Sequence, residues 1–280
     1  MADDLAAVRT RIRGVQQLDA VIGVMRGIAA AHAQQSRGLL PGVRAYAAAI
    51  AHAIASALRL RDDGSDTHPH GAEEVRIVFA AEQGFAGAFS EHVLGAALAR
   101  SPAALFLIGS RGIPASAAHG MRPMWQGPMA THVDGVAPLC IRIADALYAH
   151  LAKQPVGLVE VLFPMWTTGG GLRIECQRLL PLDEQRFAPM AAGLPPLVTL
   201  SPDVLLAGLA EEYVYAALCE AAMHAFVAEN EARAAAMLRA RGKVQEMLTA
   251  LHLSENRMRQ EAITAEIVEL TAGGLLEPAS

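Results

Sequence analysis

Apolar residues recur along the first part of this chain at intervals of three and four. Leu5, Val8, Ile12, Val15, Ile22, Met25 and Ile28 form a helical seam over residues 4 to 37, while Arg9, Arg11, Arg13, Gln16 and Asp19 lie on other faces. Gly38, Pro41 and Gly42 are expected to break or kink this helix, with an alanine-rich helix restarting over Val43 to Arg59. A second, longer helical pattern runs from Ser201 to Gly273, and no proline interrupts it between Pro202 and Pro278. Ser201 suits an N-cap, Pro202 the first helical position, and Asp203 the positive end of the dipole. Gly273 and Gly274 are the expected C-cap. Within this helix Ala240, Val244, Met247, Leu251, Ser254, Met258 and Ala262 alternate in steps of four and three, a narrow coiled-coil-like seam.

At 1.5 Å per residue the second helix would be roughly 100 Å long. A compact chain of this length has a radius of gyration of only about 19 Å. The helix is therefore expected to project, and pairing it antiparallel with the N-terminal helix buries both seams.

Between the helices the pattern changes. Val75 to Ala81, Ala103 to Ile108 and Val156 to Phe163 are apolar runs of strand length. Ser90 to Arg100 and Val136 to Lys153 read as helices, so strands and helices alternate as in an α/β unit with a parallel sheet. Leu172 to Leu180 alternates apolar and polar residues, and Gly169-Gly170-Gly171 makes it the second arm of a hairpin. Asp62 to His70 is a polar linker, and Pro181 to Pro196 an irregular return. The expected fold class is α+α/β: an antiparallel coiled coil of the N- and C-terminal helices with an inserted Rossmann-like α/β domain. The corresponding segments are 1–60, 71–200 and 201–280.

Composition narrows the function. The chain is 53% hydrophobic but only 5% aromatic, and the alanine that fills the gap favours close helix packing over a bulky core. A net charge of −5 argues against nucleic acid as a partner. Cys140, Cys176 and Cys219 are odd in number and lack metal-type spacing, which points to a reducing compartment and no disulfide framework. Asp3 and Asp4 carry the wrong charge for a signal peptide. The most apolar helical stretch, Tyr46 to Leu58, is too short to cross a bilayer, so membrane association is expected to come through partners.

Candidate chemistry is sparse. Gly84-Phe85-Ala86-Gly87 follows the first strand and precedes a helix, where a glycine-rich turn can cradle phosphate. It lacks the third glycine of a dinucleotide fingerprint, and no P-loop signature occurs in the chain, so a structural turn is the favoured reading. His68 and His70 read as surface-loop residues, and His32, His52 and His150 as helical residues without special roles. Asp62-Asp63 and Glu73-Glu74 are expected to be solvated acidic pairs, and Met237, Met247 and Met258 to be packing residues. No Ser-His-Asp, Cys-His or paired-carboxylate set stands out, and no cofactor or metal site is expected. The residues favour a non-catalytic mechanical or scaffolding part.

Several segments carry a resemblance to a known family. Arg9–Gln16 (RTRIRGVQ) and Val24–Ala30 (VMRGIAA) resemble the opening helix of the gamma subunit of F-type ATP synthases. Ala81–Phe89 (AEQGFAGAF) is similar to that family's Ser-Asp-Arg-Gly-Leu-Cys-Gly-Gly turn, Leu107–Gly112 to its second strand end, and Leu179–Leu182 to its Leu-Leu-Pro segment. Arg259–Leu270 (RQEAITAEIVEL) resembles the family's Arg-Gln-x-x-Ile-Thr-x-Glu-Leu-x-Glu-Ile ending and is the most specific match. The chain departs from the pattern at Gly23, where the family has Lys, at Arg26-Gly27 in place of Glu-Met, and at Glu82-Gln83 in place of Asp-Arg. These departures suggest a divergent member of the family, of either the principal or an alternate rotary ATPase.

The resemblance implies a central rotor stalk that catalyses nothing itself and couples ion flow through a membrane ring to ATP synthesis or hydrolysis. The implied partners are the alpha and beta subunits, the epsilon subunit and the ring of membrane c subunits, with no direct membrane insertion. The implied location is the cytoplasmic face of a bacterial plasma membrane, as a peripheral part of the complex. By residue-wise carry-over Arg259, Gln260, Thr264, Glu266 and Glu269 are candidate contacts with the catalytic ring, with Gly23, Met25 and Gly27 at the opposing family positions. Two alternatives remain: a non-rotary coiled-coil adaptor, and a nucleotide-binding α/β protein using the Gly84–Gly87 turn.

Overall fold

The structure, a computed structural model, describes residues 2–60, 73–99, 102–167, 169, 171–187 and 197–274. The polar linker with Asp62, Asp63, His68 and His70, and the end of the return segment up to Pro196, lie outside the described residues. Helix α1 spans Ala2–Leu58 and helix α6 spans Pro202–Gly274. Strands β1 (Glu73–Phe79), β2 (Ala104–Ile108), β3 (Trp125–Gly127), β4 (Val156–Thr167) and β5 (Gly171–Leu180) alternate with helices α2 (Phe89–Ala97), α3 (Gly112–Ala118), α4 (Val136–Leu151) and α5 (Glu184–Phe187). The chain divides into two compact units, one of residues 1–28 and 234–280, the other of residues 29–233.

In the first unit Ile12, Ile22, Met237, Val244 and Leu248 are buried together, with Val8, Val15, Met25, Ala240 and Leu251 packed around them. Arg9 Nε donates to Glu255 Oε1 at 2.9 Å, and Arg241 Nε donates to Asp19 Oδ1 at 3.2 Å. The α6 partner number falls as the α1 number rises. Two seam assignments change. Leu248 is buried where Met247 was expected, and Met247 is exposed; Glu255 stands half-buried beside Arg9 where Ser254 was expected. Ile28 is likewise exposed, with Leu18, Val21 and Val24, so α1 carries an apolar stripe outside the seam.

In the second unit the sheet order is β3-β2-β1-β4-β5. The first four strands are parallel and β5 closes an antiparallel hairpin on β4, with Thr167 opposite Gly171. Gly169 and Gly171 have φ of +81° and +74°, conformations that a side chain disfavours, which is why glycine builds this tip. Helix α4 and residues Val214–Val227 of α6 contribute to the larger apolar cluster with Phe79, Phe106 and Val161. Helix α2 contributes Phe89, Val93 and Leu94 to a second cluster with Val78 and Leu105.

Of the break or kink expected at Gly38, Pro41 and Gly42, the break does not occur: α1 runs through Pro41 as one helix. Proline removes one backbone donor and crowds the carbonyl four residues earlier, a local cost of about 3 kcal/mol. Contacts on both sides offset it. Ala33, Ser36 and Leu40 are buried, while Arg37 pairs with Glu231 and Arg44 with Glu220, both on α6. Helix α6 is described as far as Gly274, so its last described residues are the two glycines expected to end it.

Two further expectations are corrected, on an acidic pair and on the apolar length of α1, and two of the thiols acquire a contact. Glu73 and Glu74 are half-buried and paired rather than solvated: Glu73 meets His150 Nε2 at 3.1 Å, and Glu74 meets the buried Arg76. Cys140 on α4 and Cys219 on α6 share a sulfur hydrogen bond, so two of the three thiols meet in the fold; that bond and burial raise the Cys140 thiol well above the ordinary range. By length and composition α1 contains an 18-residue window, mean hydropathy 1.2, apolar enough to cross a membrane. The ion pairs of Asp19, Arg37 and Arg44 with α6 spread charge along the same helix.

Arg44 also donates from Nη2 to His224 Nε2 at 3.0 Å. Together His224 and Arg44 hold the Glu220 carboxyl below the usual carboxylate range. A depressed carboxyl contributes stability above its unfolded pKa and loses it as pH falls through the folded one. Glu220→Gln is therefore expected to destabilise at neutral pH, with the difference from the wild type shrinking only as pH falls from the ordinary carboxyl value of about 4.3 down through the lower folded one. Urea denaturation of both chains across that range checks this; a constant difference between them would refute the assignment.

Candidate functional site

The order of the strands reverses at β1: the chain moves from β1 to β2 and β3 on one side, then returns to β4 on the other. In open α/β sheets the carboxyl end of such a strand is where ligands bind. The turn at this position, Ala81 to Ala88, leads from β1 into α2, and Phe85 and Gly87 take left-handed φ values of +64° and +67°. An open depression of about 430 Å³ lies beside it, lined by Gly84, Phe85, Ser90, Glu91 and Arg111 among others.

Two amides at the start of this turn are already engaged. Glu82 N–H donates to Glu229 Oε2 at 3.1 Å and Gln83 N–H donates to Glu229 Oε1 at 3.0 Å. Arg233, one turn further along α6, donates to the same carboxylate, to Gly84 O at 3.1 Å from Nε, and to Asn230 Oδ1 at 2.9 Å from Nη1. Asn230 is fixed in turn by donating to Phe226 O at 2.9 Å. Glu229, Asn230 and Arg233 are all buried. The chain's own carboxylate thus ties the start of the turn to α6.

Glu82 faces the other way. Its carboxylate accepts from Ser110 N–H at 3.0 Å, Ser110 Oγ at 2.8 Å and Met129 N–H at 2.8 Å. Ser110 follows β2 and Met129 follows β3, so one side chain ties the carboxyl ends of three parallel strands. This role belongs to the acidic residue at a position where the resemblance marked a departure. A carboxylate is still supplied there, and Gln83 beside it is exposed.

The residues carried over from the resemblance all lie in the first unit. Met25 is half-buried against the seam; Gly23 is half-buried and Gly27 exposed, and a Cβ at either glycine would meet nothing within 4 Å. Arg259 donates to Glu255 Oε1 at 3.3 Å, and Thr264 Oγ1 donates to Gln260 O at 2.8 Å. Arg259, Gln260, Thr264, Glu266 and Glu269 are exposed. Because Asp19 stands beside Arg241 and Arg9 beside Glu255, the α1 set and the α6 set occupy different levels, their centres roughly 40 Å apart along the helix.

Sequence reasoning missed Glu229, Asn230 and Arg233. Their signal was an acid and a base four residues apart inside an otherwise apolar, alanine-rich stretch, a pairing distance on a helix.

The fold and site define an α/β protein with two long terminal helices, whose strand-end turn is tied to the second of them by an internal ion pair. Comparison with known proteins gives the family. The family model described as ATP synthase matches residues 4–274. ATP synthase gamma chains of Parafrankia sp. (strain EAN1pec) and Kineococcus radiotolerans are 27% and 28% identical, each over 98% of this chain and 97% and 96% of their own length. Among solved structures, a chain of the Euglena gracilis mitochondrial ATP synthase OSCP/F1/c-ring assembly superposes with a TM-score of 0.67 at 12% identity, covering 100% of this chain and 98% of its own. A chain of the Tetrahymena thermophila mitochondrial ATP synthase central stalk and c-ring gives 0.56 at 14% identity over 79% of this chain and 99% of its own. These two likenesses speak to the fold alone. The chain belongs to the ATP synthase gamma chain family, and as such is a component of the complex and not its catalytic subunit.

Proposed function

We propose that this chain is the central rotor-stalk subunit of an F-type ATP synthase, coupling ion flow through a membrane c-subunit ring to ATP synthesis or hydrolysis by the alpha and beta subunits. The observation that carries this reading is a family match over residues 4–274, with relatives covered almost end to end. The segments divide as 1–60, 71–200 and 201–280, an antiparallel coiled coil of the two terminal helices with an inserted Rossmann-like domain. The seam of Ile12, Ile22, Val244 and Leu248 and the Arg9–Glu255 and Asp19–Arg241 pairs support this.

The rotor acts by differential contact. As the shaft turns, each face presses on a catalytic subunit in sequence and biases it between open and closed states. Exposed Leu18, Val21, Val24 and Ile28 on α1, and Ile263, Ile267 and Val268 on α6, supply apolar surface for such contacts. Gly23, Met25 and Gly27, with Arg259, Gln260, Thr264, Glu266 and Glu269, are the contact residues of this reading. The epsilon subunit is a further partner, the transported ion is a proton or sodium ion, and the complex sits on the cytoplasmic face of a bacterial plasma membrane. The nucleotide-binding alternative is disfavoured because Glu229 occupies two amides at the start of the turn; a free-standing coiled-coil adaptor is disfavoured by the full-length family match.

Affinity capture of the tagged full chain, followed by an ATPase assay, tests the reading. Alpha, beta and epsilon subunits should co-purify with ATPase activity; capture of none of them would overturn it. Within that complex, Gln260→Ala combined with Thr264→Val should weaken ion pumping per ATP while the chain stays folded, since both side chains are exposed. Unchanged ATPase activity and pumping would remove these two residues from the contact set.

A further inference from the structure

Between Tyr213 and Arg233, helix α6 is buried over most of its circumference. Much of that surface is alanine: Ala216, Ala217, Ala221, Ala222, Ala225, Ala228 and Ala232 are all buried. A helix is held in angle by side-chain ridges seated in grooves. Methyl groups make shallow ridges, and in the doublets Ala216-Ala217 and Ala221-Ala222 a turn of one residue exchanges one methyl for another. Val214, Leu218, Met223, Phe226 and Val227, buried on the same helix, hold α6 in the unit, while the methyl surface between them discriminates weakly between angular positions. Two directional polar contacts reach the sheet and its connections: Tyr213 Oη accepts from Gln177 of β5 at 3.2 Å near one end, and the ion pair acts at the other. Glu229 takes two backbone amides beyond β1, and Arg233 closes the loop on Gly84 O and on Glu229 itself.

We propose that the Glu229–Arg233 pair sets the angular register of α6 against the sheet, making them the positioning residues through which a turning α6 carries the α/β unit with it. The proposal rests on the rotor reading above. Charge-assisted hydrogen bonds fixed to rigid backbone give angular specificity that alanine packing lacks. Twist applied to α6 is then borne by the turn at the end of β1. Glu82, fastened to Ser110 and Met129, spreads the load onto the ends of β2 and β3. An ordinary intrahelical ion pair at this spacing would serve α6 alone; this one is anchored outside it.

The test uses the assembled complex carrying Glu229→Gln, Arg233→Lys, or the exchange Glu229→Arg with Arg233→Glu. Ions pumped per ATP hydrolysed should fall roughly threefold in Glu229→Gln, which keeps one acceptor oxygen of two, and less in Arg233→Lys. The exchanged pair should fare no better than Glu229→Gln, because the Glu82 and Gln83 amides require an acceptor at residue 229. Wild-type pumping in all variants, or rescue by the exchange, overturns the proposal. Amide hydrogen exchange on the full chain gives a second readout that does not need assembly. Glu229→Gln should speed exchange at Glu82 and Gln83 while β1 and β4 stay protected; equal loss along those strands would mean the pair holds the fold rather than the register, and would also overturn it. Failure of the wild-type chain to capture alpha and beta subunits would count against the rotor reading instead, leaving the exchange result interpretable.

Discussion

Replacing Glu82 with alanine is expected to destabilise the chain by about 3 kcal/mol, far more than its half-exposed position would suggest. The carboxylate accepts from two backbone amides and a hydroxyl on two different connections, at 3.0, 2.8 and 2.8 Å. Alanine leaves Ser110 N–H and Met129 N–H without their acceptor at the crowded ends of β2 and β3, and each lost bond to a charged group costs about 1.5–3 kcal/mol before water recovers part of it. Gln83→Ala, one residue on and exposed, should lie within about 0.5 kcal/mol of wild type. Equilibrium urea denaturation of the two variants makes the comparison. Equal midpoints would show that Glu82 is an ordinary surface acid and that the three strand ends are held some other way.

How far the sequence foretold this structure depends on the length scale of each signal. The helical seams were legible because burial repeats every three or four residues over many turns. The error of one residue at Met247 against Leu248 arose because a fixed four-three alternation slips against the helix's own pitch. Strands β1, β2 and β4 announced themselves as apolar runs because both their faces are covered. Strand β3 did not, being three residues long; what holds it is the stacking of Trp125 on Phe106, with ring centroids 5.9 Å apart, a contact between distant residues. Helix α3 begins Gly-Ile-Pro, which reads as a turn, yet a helix's first turn has no intrahelical use for proline's missing donor.

The site divides the same way. The turn after β1 was found from its motif, which is local, and the contact residues proposed on α6 come from the same kind of resemblance. The partner of the turn, Glu229 and Arg233, stands nearly 150 residues away in sequence and reached it only through the packing of α6. No local pattern encodes that juxtaposition. What could be read locally was its cost: charges in a helix segment otherwise built for burial require partners, and their partners must be elsewhere in the fold.

Gly109→Ala is expected to be the most damaging single methyl that can be added to the sheet. Gly109 has a φ of +101°, and a Cβ there would come within 2.3 Å of Ala80 O and 2.8 Å of Ala81 O. Neither side can yield. Gly109 N–H donates to Gly127 O at 2.9 Å, and Ala80 N–H donates to Ile108 O at 2.7 Å, so moving apart to admit the methyl breaks the connection between β1, β2 and β3. Backbone strain of about 1–3 kcal/mol adds to the clash, and a total above about 4 kcal/mol follows. Gly120→Ala is the control: its φ is +70°, also unfavourable to a side chain, but nothing lies within 4 Å of the added methyl. Thermal unfolding of the two variants separates conformation from space. Gly109→Ala should lose its cooperative transition or express only as insoluble protein, while Gly120→Ala should show a modest shift. If the two shifts were equal, the positive φ alone would account for both, and the close passage of β1 past β2 would not be what demands glycine at this position.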